Sequence, residues 1–348
     1  MKKIEMNNVK NILLVQTAFF GDIVLTIPLI NNIKQLFPDK KLIVLTTPVG
    51  KALLEEQSNI DEIIVYDKKG KDKGFWRFWH FVHTLKCLSI DLAIVPHRSV
   101  RSAVLVYAAK IPVRFGFDKS QGWMFFNKLI RYQKHKHDLE RNLYFLEDFA
   151  AMENLDKQIS FSFNNESEKM VSAVLQENRF LGHKIIGIHT GSKWFTKKWL
   201  VAKFIELIDE LDARGHKLLV FGDNEDVKIS NHLKFKNKSE NVVNLVGQTS
   251  VSELISFFRC LSVYVSNDSG PMHIAAALGI PVLAIFGPTT KELGFSPYND
   301  KSKIIEVEMS CRPCGMHGGN VCPKKHFRCM QDISVERVLL EIEEKLKL

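Results

Sequence analysis

The sequence predicts an α/β protein with two domains, each built on a parallel sheet and helices. Its length of 348 residues suits two domains of ordinary size. Short apolar runs alternate with stretches of helical periodicity, once in the N-terminal half and again in the C-terminal half. A polar stretch, residues 154–182, separates the two halves. The content of 45% hydrophobic and 25% charged residues is typical of a globular protein and excludes disordered chains and small disulfide scaffolds.

The N-terminal half has four predicted strands and two predicted helices. Isoleucines at helical spacing predict a helix over 22–37, which follows Gly21 and ends before Pro38. A second helix is predicted over 75–86. The predicted strands are 11–16, 41–46, 62–66 and 91–95.

The C-terminal half repeats this alternation. Its predicted strands are 184–189, 217–221, 242–245, 262–265 and 282–286, and its predicted helices are 199–214, 250–258, 272–277 and 334–346. We therefore expect two Rossmann-like domains, 1–170 and 171–348, with a ligand cleft between them, because open parallel sheets bind ligands beyond the carboxyl ends of their strands.

The charge of the chain favours an anionic partner. Lys and Arg number 48 against 39 Asp and Glu, a formal charge of +9. Nucleotides, phosphorylated glycans, nucleic acid and anionic membranes all fit this balance. The chain has no GxxxxGK[ST] or GxGxxG loop, which weakens ATPase and dehydrogenase readings, and no HExxH or GxSxG motif. It also lacks the Asp-x-Asp pair with which many sugar-nucleotide enzymes hold a cation.

The location predicted from the sequence is cytoplasmic. The first ten residues are polar, unlike a signal peptide, and the longest uncharged apolar run, 274–288, is too short to span a membrane. A basic and aromatic block, KKGKDKGFWRFWHF at 68–81, has two interpretations. We expect its aromatic residues to form a helix that packs in the protein core. The alternative is peripheral contact with the inner face of the inner membrane.

The segment VSNDSGPMHIAAALGIPVLAIFGP at 265–288 carries the clearest local signal. It reads as a strand, a polar loop, a helix that opens at Gly270 and Pro271, and a second strand. Backbone N–H groups at a helix start, with serine and glycine nearby, form an anion site. The alternative is simply a well-capped helix with Asp268 or Ser269 as N-cap.

Several motifs of the chain, taken in order, resemble the family 9 glycosyltransferases, the lipopolysaccharide heptosyltransferases. They are ILLVQTAFFGDIVLTIPLI near the N-terminus, DLAIVPHRSVRSA, IPVRFGF, the KKW–F block, VFGDNED and NDSGPMHIAAALGIPVLAIFGPT. The resemblance implies a GT-B architecture, with acceptor binding in the N-terminal domain and donor binding in the C-terminal domain. It also implies inverting transfer of heptose from ADP-heptose to the lipopolysaccharide inner core, with no further cofactor.

Within the family the chain is most similar to enzymes that add heptose II to heptose I. The alternatives are addition of the first heptose, or transfer from another nucleotide sugar to a surface glycan. An alternative of another class is a nucleic-acid-binding protein with a zinc-binding cysteine cluster, although neither half carries a recognition module.

The resemblance assigns catalytic roles to Asp22 and Lys197. Inverting transfer needs a base for the acceptor hydroxyl, and the matching aspartate is Asp22. Its alternative role is to cap a helix. Lys197, two residues before Trp199, matches the lysine that contacts the donor phosphates, and Lys193 and Lys198 are competitors for this role.

The remaining donor residues lie in the C-terminal half. A hydroxyl in the lysine loop also contacts phosphate in the family, which favours Ser192 over Thr190. Asp226, or its neighbour Glu225, would hold the ribose hydroxyls. The residues expected to face the donor sugar and phosphates are Asp268, Ser269 and Gly270, with His273 ranked lower.

The acceptor residues are predicted from arginines near strand ends. Arg98, Arg101 and Arg114 suit bidentate recognition of carboxylate or phosphate, which the expected acceptor, Kdo-lipid A or a heptosylated inner core, carries. The alternative is that they are ordinary surface arginines.

A cysteine cluster near the C-terminus has two interpretations. Cys311, Cys314, Cys322 and Cys329 form C-x2-C-x7-C-x6-C, a spacing that can make a tetrahedral zinc site, with His317 and His326 as further candidates. We expect free thiols or one disulfide instead, and no metal.

Overall fold

The computed structural model describes residues 6–68, 70–223, 226–235 and 239–347. The chain forms two compact units, Met1–Ser162 (unit 1) and Phe163–Leu348 (unit 2). The division lies within the polar join expected at 154–182, a few residues before the boundary placed at 170/171.

Unit 1 contains a six-stranded parallel sheet in the order β3-β2-β1-β4-β5-β6. Its strands are β1 Asn11–Gln16, β2 Lys41–Thr46, β3 Glu62–Val65, β4 Leu92–Val95, β5 Val113–Phe117 and β6 Lys128–Ile130. Its helices are α1 Phe20–Val24, α2 Ile27–Leu36, α3 Pro48–Leu54, α4 Phe75–Cys87, α5 Val100–Ala108 and α6 Asp138–Leu143. Short 3-10 turns lie at Met6–Asn8, Trp123–Phe125, Tyr144–Leu146 and Met152–Asn154.

Unit 2 contains a second six-stranded parallel sheet in the order β12-β11-β10-β7-β8-β9. Its strands are β7 Ile185–His189, β8 Lys217–Phe221, β9 Val242–Asn244, β10 Val263–Asn267, β11 Val282–Phe286 and β12 Lys303–Glu306. Its helices are α7 Asn165–Glu177, α8 Val201–Ala213, α9 Val227–Phe235, α10 Val251–Phe258, α11 Gly270–Ala277, α12 Arg328–Gln331 and α13 Val335–Lys347. Short 3-10 turns lie at Phe195–Lys197 and Lys291–Leu293.

Both sheets have the same strand order. Counted from the first strand of each unit, the order is 3-2-1-4-5-6, that of the doubly wound Rossmann fold. The α/β fold with two Rossmann-like units is therefore confirmed. In each sheet the order reverses beside the first strand, between β1 and β4 in unit 1 and between β7 and β10 in unit 2. This switch point is where open α/β sheets bind their ligands.

Central strands of both sheets are buried because both faces of a parallel sheet are covered. Every residue of β10 and β11 is buried, and so is every residue of β4. Such continuous burial fixes the strands, so their carboxyl ends hold the polar loops at defined positions. Among the described residues, no helix is both long and apolar enough to cross a membrane.

The structure differs from the sequence prediction in the first helix. The helix predicted over 22–37 is two helices, α1 and α2, interrupted at Leu25 and Thr26. Pro28 stands in the first turn of α2, where its missing N–H and its ring are tolerated, whereas a continuous helix would place it in the interior.

A second difference concerns the aromatic block. The expectation that its rings pack in the core is wrong for the first turns of α4. Phe75 is 66% exposed, Trp76 82% and Trp79 44%, while Phe81 is buried.

Candidate functional site

The candidate donor site of unit 2 lies at the switch point of its sheet. β7 and β10 are adjacent and parallel, and Ser266 pairs with His189 near their carboxyl ends. The loop after β7, residues 190–200, and the loop that joins β10 to α11 therefore leave the sheet side by side.

Asn267 holds the first of these loops in place. Its side-chain amide donates to the Thr190 carbonyl at 2.9 Å, and its side-chain oxygen accepts from the Trp199 backbone N–H at 2.9 Å. Trp199 is itself buried, and its indole N–H donates to the Ile333 carbonyl at 3.2 Å. One side chain thus ties both ends of the loop that carries Lys197. The sequence placed Asn267 in the loop after the strand, but it is the last residue of β10.

Lys197 and Asp268 form an ion pair at this edge. The Lys197 Nζ lies 2.6 Å from Asp268 Oδ2, and both side chains are largely buried. The Thr289 hydroxyl, which follows β11, donates to the same carboxylate oxygen at 2.5 Å. The Ser192 hydroxyl donates to the Asp268 carbonyl at 3.1 Å. The structure thus brings together three predicted donor residues and adds Thr289, whose only sequence signal is its place just beyond a buried strand.

The start of α11 offers backbone N–H groups beside this pair. Ser269 is the N-cap residue, yet its side chain makes no capping hydrogen bond and instead meets the Ser266 hydroxyl at 3.0 Å. Gly270 is the first helical residue, as the Gly270-Pro271 opening predicts, although the apolar periodicity alone placed the helix over 272–277. Helix N-termini attract anions. His273, one turn into the helix, is buried.

Asp226 is a buried carboxylate after β8. Its Oδ2 accepts from the Asp223 backbone N–H at 3.1 Å, and Lys198 Nζ lies 3.5 Å from Oδ1. Burial raises the pKa of Asp226, and the charge of Lys198 works against that rise. A Cβ at Gly222 would lie 2.8 Å from Asp226 Oδ2, so glycine is required for this close approach. Glu225, the alternative to Asp226, lies outside the described residues.

Two further polar groups lie at the same edge. The Thr190 hydroxyl is buried and has no hydrogen-bond partner among the described residues, which suits a ligand contact. Burial lowers the pKa of His189 to about 4, so its imidazole is neutral near pH 7. His189 could not be predicted as a site residue, because a histidine that ends a strand gives no signal of its burial. Of the competitors of Lys197, Lys193 is exposed and Lys198 is directed to Asp226.

The switch point of unit 1 carries a second polar cluster. The Thr17 hydroxyl, after β1, lies 3.0 Å from His97 Nδ1, after β4, and that nitrogen lies 3.1 Å from the Ser102 hydroxyl. The Lys68 ammonium donates to the Thr17 carbonyl at 2.6 Å. Burial, with the charges of Lys68 and Arg98, lowers the pKa of His97 to about 4.

Asp22 lies in the first turn of α1. Its Oδ2 accepts from the Phe19 backbone N–H at 3.2 Å, and the Thr26 hydroxyl donates to its carbonyl at 2.7 Å. The carboxylate is half-buried. Asp22 is therefore not the N-cap residue itself, which is Phe19, but it does bind the backbone at the helix start.

Tyr132 packs beside a predicted acceptor arginine, and the charge of Asp22 acts on its hydroxyl. The Arg98 guanidinium lies 4.4 Å from the centre of the Tyr132 ring, and that of the buried Arg141 lies 4.9 Å from it. Burial raises the pKa of Tyr132, the charge of Arg98 lowers it, and the charge of Asp22 raises it. The charges of Asp22 and Arg98 thus both act on this tyrosine, a relationship that the sequence alone does not indicate.

The other two predicted acceptor arginines are held by the protein. Arg101 Nε donates to the Tyr66 hydroxyl at 2.6 Å, at the edge that carries the unit 1 cluster. Arg114 lies near the beginning of β5, and its guanidinium donates to the carbonyls of Phe125 at 2.8 Å and Ile111 at 2.5 Å. Since that end of the strand is opposite the switch-point edge, the structure does not bring Arg114 to Asp22 and Arg98.

The cysteine cluster consists of free thiols. Cys311 Sγ lies 3.8 Å from His326 Nε2, and the Cys314 thiol donates to the Cys311 carbonyl at 3.3 Å. Burial raises the pKa of Cys329 to about 11. Within the part of the chain that the structure describes, no three His, Cys, Asp or Glu side chains are arranged to hold a metal ion.

Comparison with known proteins gives the family. The model of "Glycosyltransferase family 9 (heptosyltransferase)" matches residues 78–324, more than half of the chain. The chain belongs to glycosyltransferase family 9. The family resemblance expected from the motifs is confirmed, and the protein is a glycosyltransferase.

Relatives of this family 9 enzyme match it nearly end to end. It is 27% identical to the lipooligosaccharide heptosyltransferase 2 of Campylobacter jejuni, over 95% of this chain and 96% of that protein. Among solved structures, a family 9 glycosyltransferase from Veillonella parvula has a TM-score of 0.82 at 21% identity, with 97% of both chains covered. The Escherichia coli ADP-heptose LPS heptosyltransferase II has a TM-score of 0.74 at 22% identity, with 97% of this chain and 98% of that chain covered. These likenesses confirm the GT-B fold class.

Proposed function

We propose that this family 9 enzyme transfers heptose from ADP-heptose to the inner core of lipopolysaccharide, with inversion, and that it adds heptose II to heptose I. The observation that carries the donor half is the Lys197–Asp268 pair beside the start of α11. A fixed cation and uncapped backbone N–H groups at the switch point suit a nucleoside diphosphate. The names of the relatives, an ADP-heptose heptosyltransferase II and a heptosyltransferase 2, support the sugar and its position.

In the proposed reaction the acceptor oxygen attacks the anomeric carbon of the donor. A carbon–oxygen bond forms on one face of the sugar while the bond to the ADP oxygen breaks on the other, which inverts the configuration. Asp22 accepts the proton of the acceptor hydroxyl as general base. Lys197 and the N–H groups of Ser269 and Gly270 take up the negative charge that develops on the departing ADP.

The other donor residues have positioning roles in this proposal. Asp226 accepts the ribose hydroxyls, and the unpartnered Thr190 hydroxyl bonds a phosphate or ribose oxygen. Ser192 holds the Asp268 backbone and so orients the start of α11. His273, buried in the first turns of α11, supports the same loop.

For the acceptor, the proposal uses Arg98 and Arg101 and leaves Arg114 in a structural role. Arg98 lies beside the Tyr132 ring, on whose hydroxyl the charge of Asp22 also acts. An anionic group of the acceptor bound to Arg98 would therefore bring a neighbouring hydroxyl to Asp22. Kdo-lipid A that already carries heptose I offers such groups. The cytoplasmic location stays a prediction.

The experiment is product formation from ADP-heptose with two acceptors, Kdo-lipid A and the same acceptor carrying heptose I. We expect transfer to the heptosylated acceptor and an α-linked product from a β-linked donor. Transfer only to the bare acceptor would make the enzyme a first-heptose transferase. Tight binding of ADP with no transfer to either acceptor would show that the sugar or the acceptor is wrong, while the donor nucleotide is right.

A further inference from the structure

The first turns of α4 present an unusual surface of aromatic and basic side chains in unit 1. Three rings are exposed, those of Phe75, Trp76 and Trp79, and Trp76 is 82% exposed. Three basic side chains are exposed as well: Lys71 and Lys73, which precede the rings, and Arg77, which lies between Trp76 and Trp79. We call these six residues the α4 surface.

The exposed rings form a cluster of their own. Phe75 contacts Trp76 with ring centres 5.6 Å apart and Trp79 with centres 6.1 Å apart, each edge to face. Packing of α4 on the sheet does not require them, because the helix buries a different face, with Phe81, Val82 and Leu85. Exposed apolar clusters of this kind mark interaction sites.

The net positive charge of the chain comes from the segment of unit 1 that includes this surface. Residues 68–137 contain fifteen Lys and Arg but only three Asp, whereas the rest of the chain has 33 basic and 36 acidic residues. The formal charge of +9 therefore comes from this one segment of unit 1. An anionic partner would therefore be attracted to the part of the chain that carries the α4 surface.

Further exposed apolar groups lie on the same layer. α4, α5 and Phe125 of the 3-10 turn Trp123–Phe125 pack against one common core on the sheet of unit 1. In that turn Trp123 is 51% exposed and Met124 65% exposed. The apolar exposure of this layer is therefore not limited to one helix.

We propose that the α4 surface binds a lipid bilayer that contains anionic phospholipids. Tryptophan is suited to the interface because its ring is apolar and its indole N–H can remain hydrated. The lysines and Arg77 would meet lipid phosphates, while the three rings enter the boundary between headgroups and acyl chains. Lys71 and Lys73 precede the helix, and Arg77 stands between Trp76 and Trp79. Rings and cations are thus close together, as an interface with an apolar layer beneath an anionic one requires. The proposal does not depend on which sugar the enzyme transfers.

The test is sedimentation of the full chain with vesicles, without any substrate. One vesicle type is phosphatidylcholine alone, and the other contains about 30% phosphatidylglycerol. We expect binding to the anionic vesicles at least tenfold tighter than to the neutral ones, and its loss in ~0.5 M salt. The variant K71E/K73E/R77E should weaken binding by at least about a hundredfold, because each lost basic residue costs about fivefold and each new glutamate adds repulsion. The matched control K169E/K291E/K301E makes the same charge change at exposed lysines of unit 2 and should bind within about threefold of the wild type.

A second variant tests the rings. W76S/W79S should reduce vesicle binding on the order of tenfold and remove the blue shift of tryptophan fluorescence on vesicle addition.

Equal binding of this variant and the wild type would overturn the proposal, as would equal loss in the two charge variants. A dimer that W76S/W79S abolishes in gel filtration would show that the surface is an interface between copies and would also overturn it. Tighter binding to an oligonucleotide than to anionic vesicles would do the same. Because heptosyl transfer to a detergent-solubilised acceptor is measured separately, failure of the proposed function stays distinct from failure of this proposal.

Discussion

Lys197 and Asp268 lie on different loops of unit 2, yet their side chains meet at 2.6 Å with little exposure to solvent. The carboxylate orients the ammonium group before a donor arrives. A diphosphate that binds at the start of α11 would then share this cation with Asp268. The same ion pair thus stabilises the fold of the site and supplies the positive charge that a diphosphate requires.

Replacing Lys197 should impair both binding and turnover. Lys197→Ala removes the cation next to the leaving group, and we expect kcat/KM to fall about 100- to 1000-fold. It also leaves Asp268 buried without its ion-pair partner, which should lower the free energy of unfolding of unit 2 by on the order of 3 kcal/mol. Lys193→Ala, an exposed lysine in the same loop, serves as control and should change neither. Similar kinetics for the two variants would contradict the assignment of Lys197.

The proposed base can be tested by an isosteric change. Asp22→Asn keeps the shape of the side chain, although the hydrogen bond from the Phe19 N–H becomes weaker. The amide can no longer accept a proton. We expect turnover to fall about 100- to 10,000-fold with ADP affinity unchanged. Asp39→Asn, an exposed carboxylate of unit 1, is the control. Near-normal turnover in a folded Asp22→Asn enzyme would show that the base lies elsewhere.

Asn267 should matter for stability before it matters for chemistry. Asn267→Ala leaves the buried Trp199 N–H and the Thr190 carbonyl without their shared partner. We expect a loss of about 1–3 kcal/mol in the free energy of unfolding, together with weaker ADP binding because the Lys197 loop is no longer tied down. Urea titration followed by tryptophan fluorescence measures the first effect. Asn165→Ala at the exposed start of α7 should leave both quantities near the wild-type values, and equal effects would refute the tethering role.

Acid should destabilise unit 1 through His97. Its pKa is about 4 in the folded protein and 6.5 when unperturbed. Between these pH values the unfolded chain binds a proton at His97 and the folded chain does not. Stability therefore declines as the pH falls from about 6.5 to about 4, by up to about 3 kcal/mol. His97→Asn, which can still bond Thr17 and Ser102, should remove this part of the decline. His183→Asn, an exposed histidine, should keep the wild-type pH profile of urea unfolding.

The strands were the most predictable elements because their apolar runs are bounded by glycine or polar residues. Lys217–Phe221 and Val282–Phe286 have the predicted limits, and β1 and β2 do as well. α7 was not predicted, since its residues are mostly polar and only a narrow face with Val171 and Leu175 is buried. Its apolar positions are too few to stand out from a linker.

Parts of the candidate site could not be read from the sequence because they depend on which strands are neighbours. Thr289 reaches Asp268 only because β11 lies next to β10. Tyr132 follows β6 at the far edge of its sheet, so nothing in its own segment indicates the nearby Arg98. Arg114 shows the opposite error: the strand after Pro112 begins at Val113, which puts this arginine near the wrong end of β5.

The shared strand order also has a consequence for folding during synthesis. In each unit the first strand pairs with the fourth at the switch point. The hydrogen bonds between Thr17 and His97, and between Thr190 and Asn267, therefore form only after the fourth strand has been synthesised. Contacts between segments so distant along the chain form slowly, since a long loop must close before they are made. Domains generally fold as units from the N-terminus as they emerge from the ribosome. Unit 1, which holds Asp22, can therefore be complete while the segments of the candidate donor site in unit 2 are still being translated.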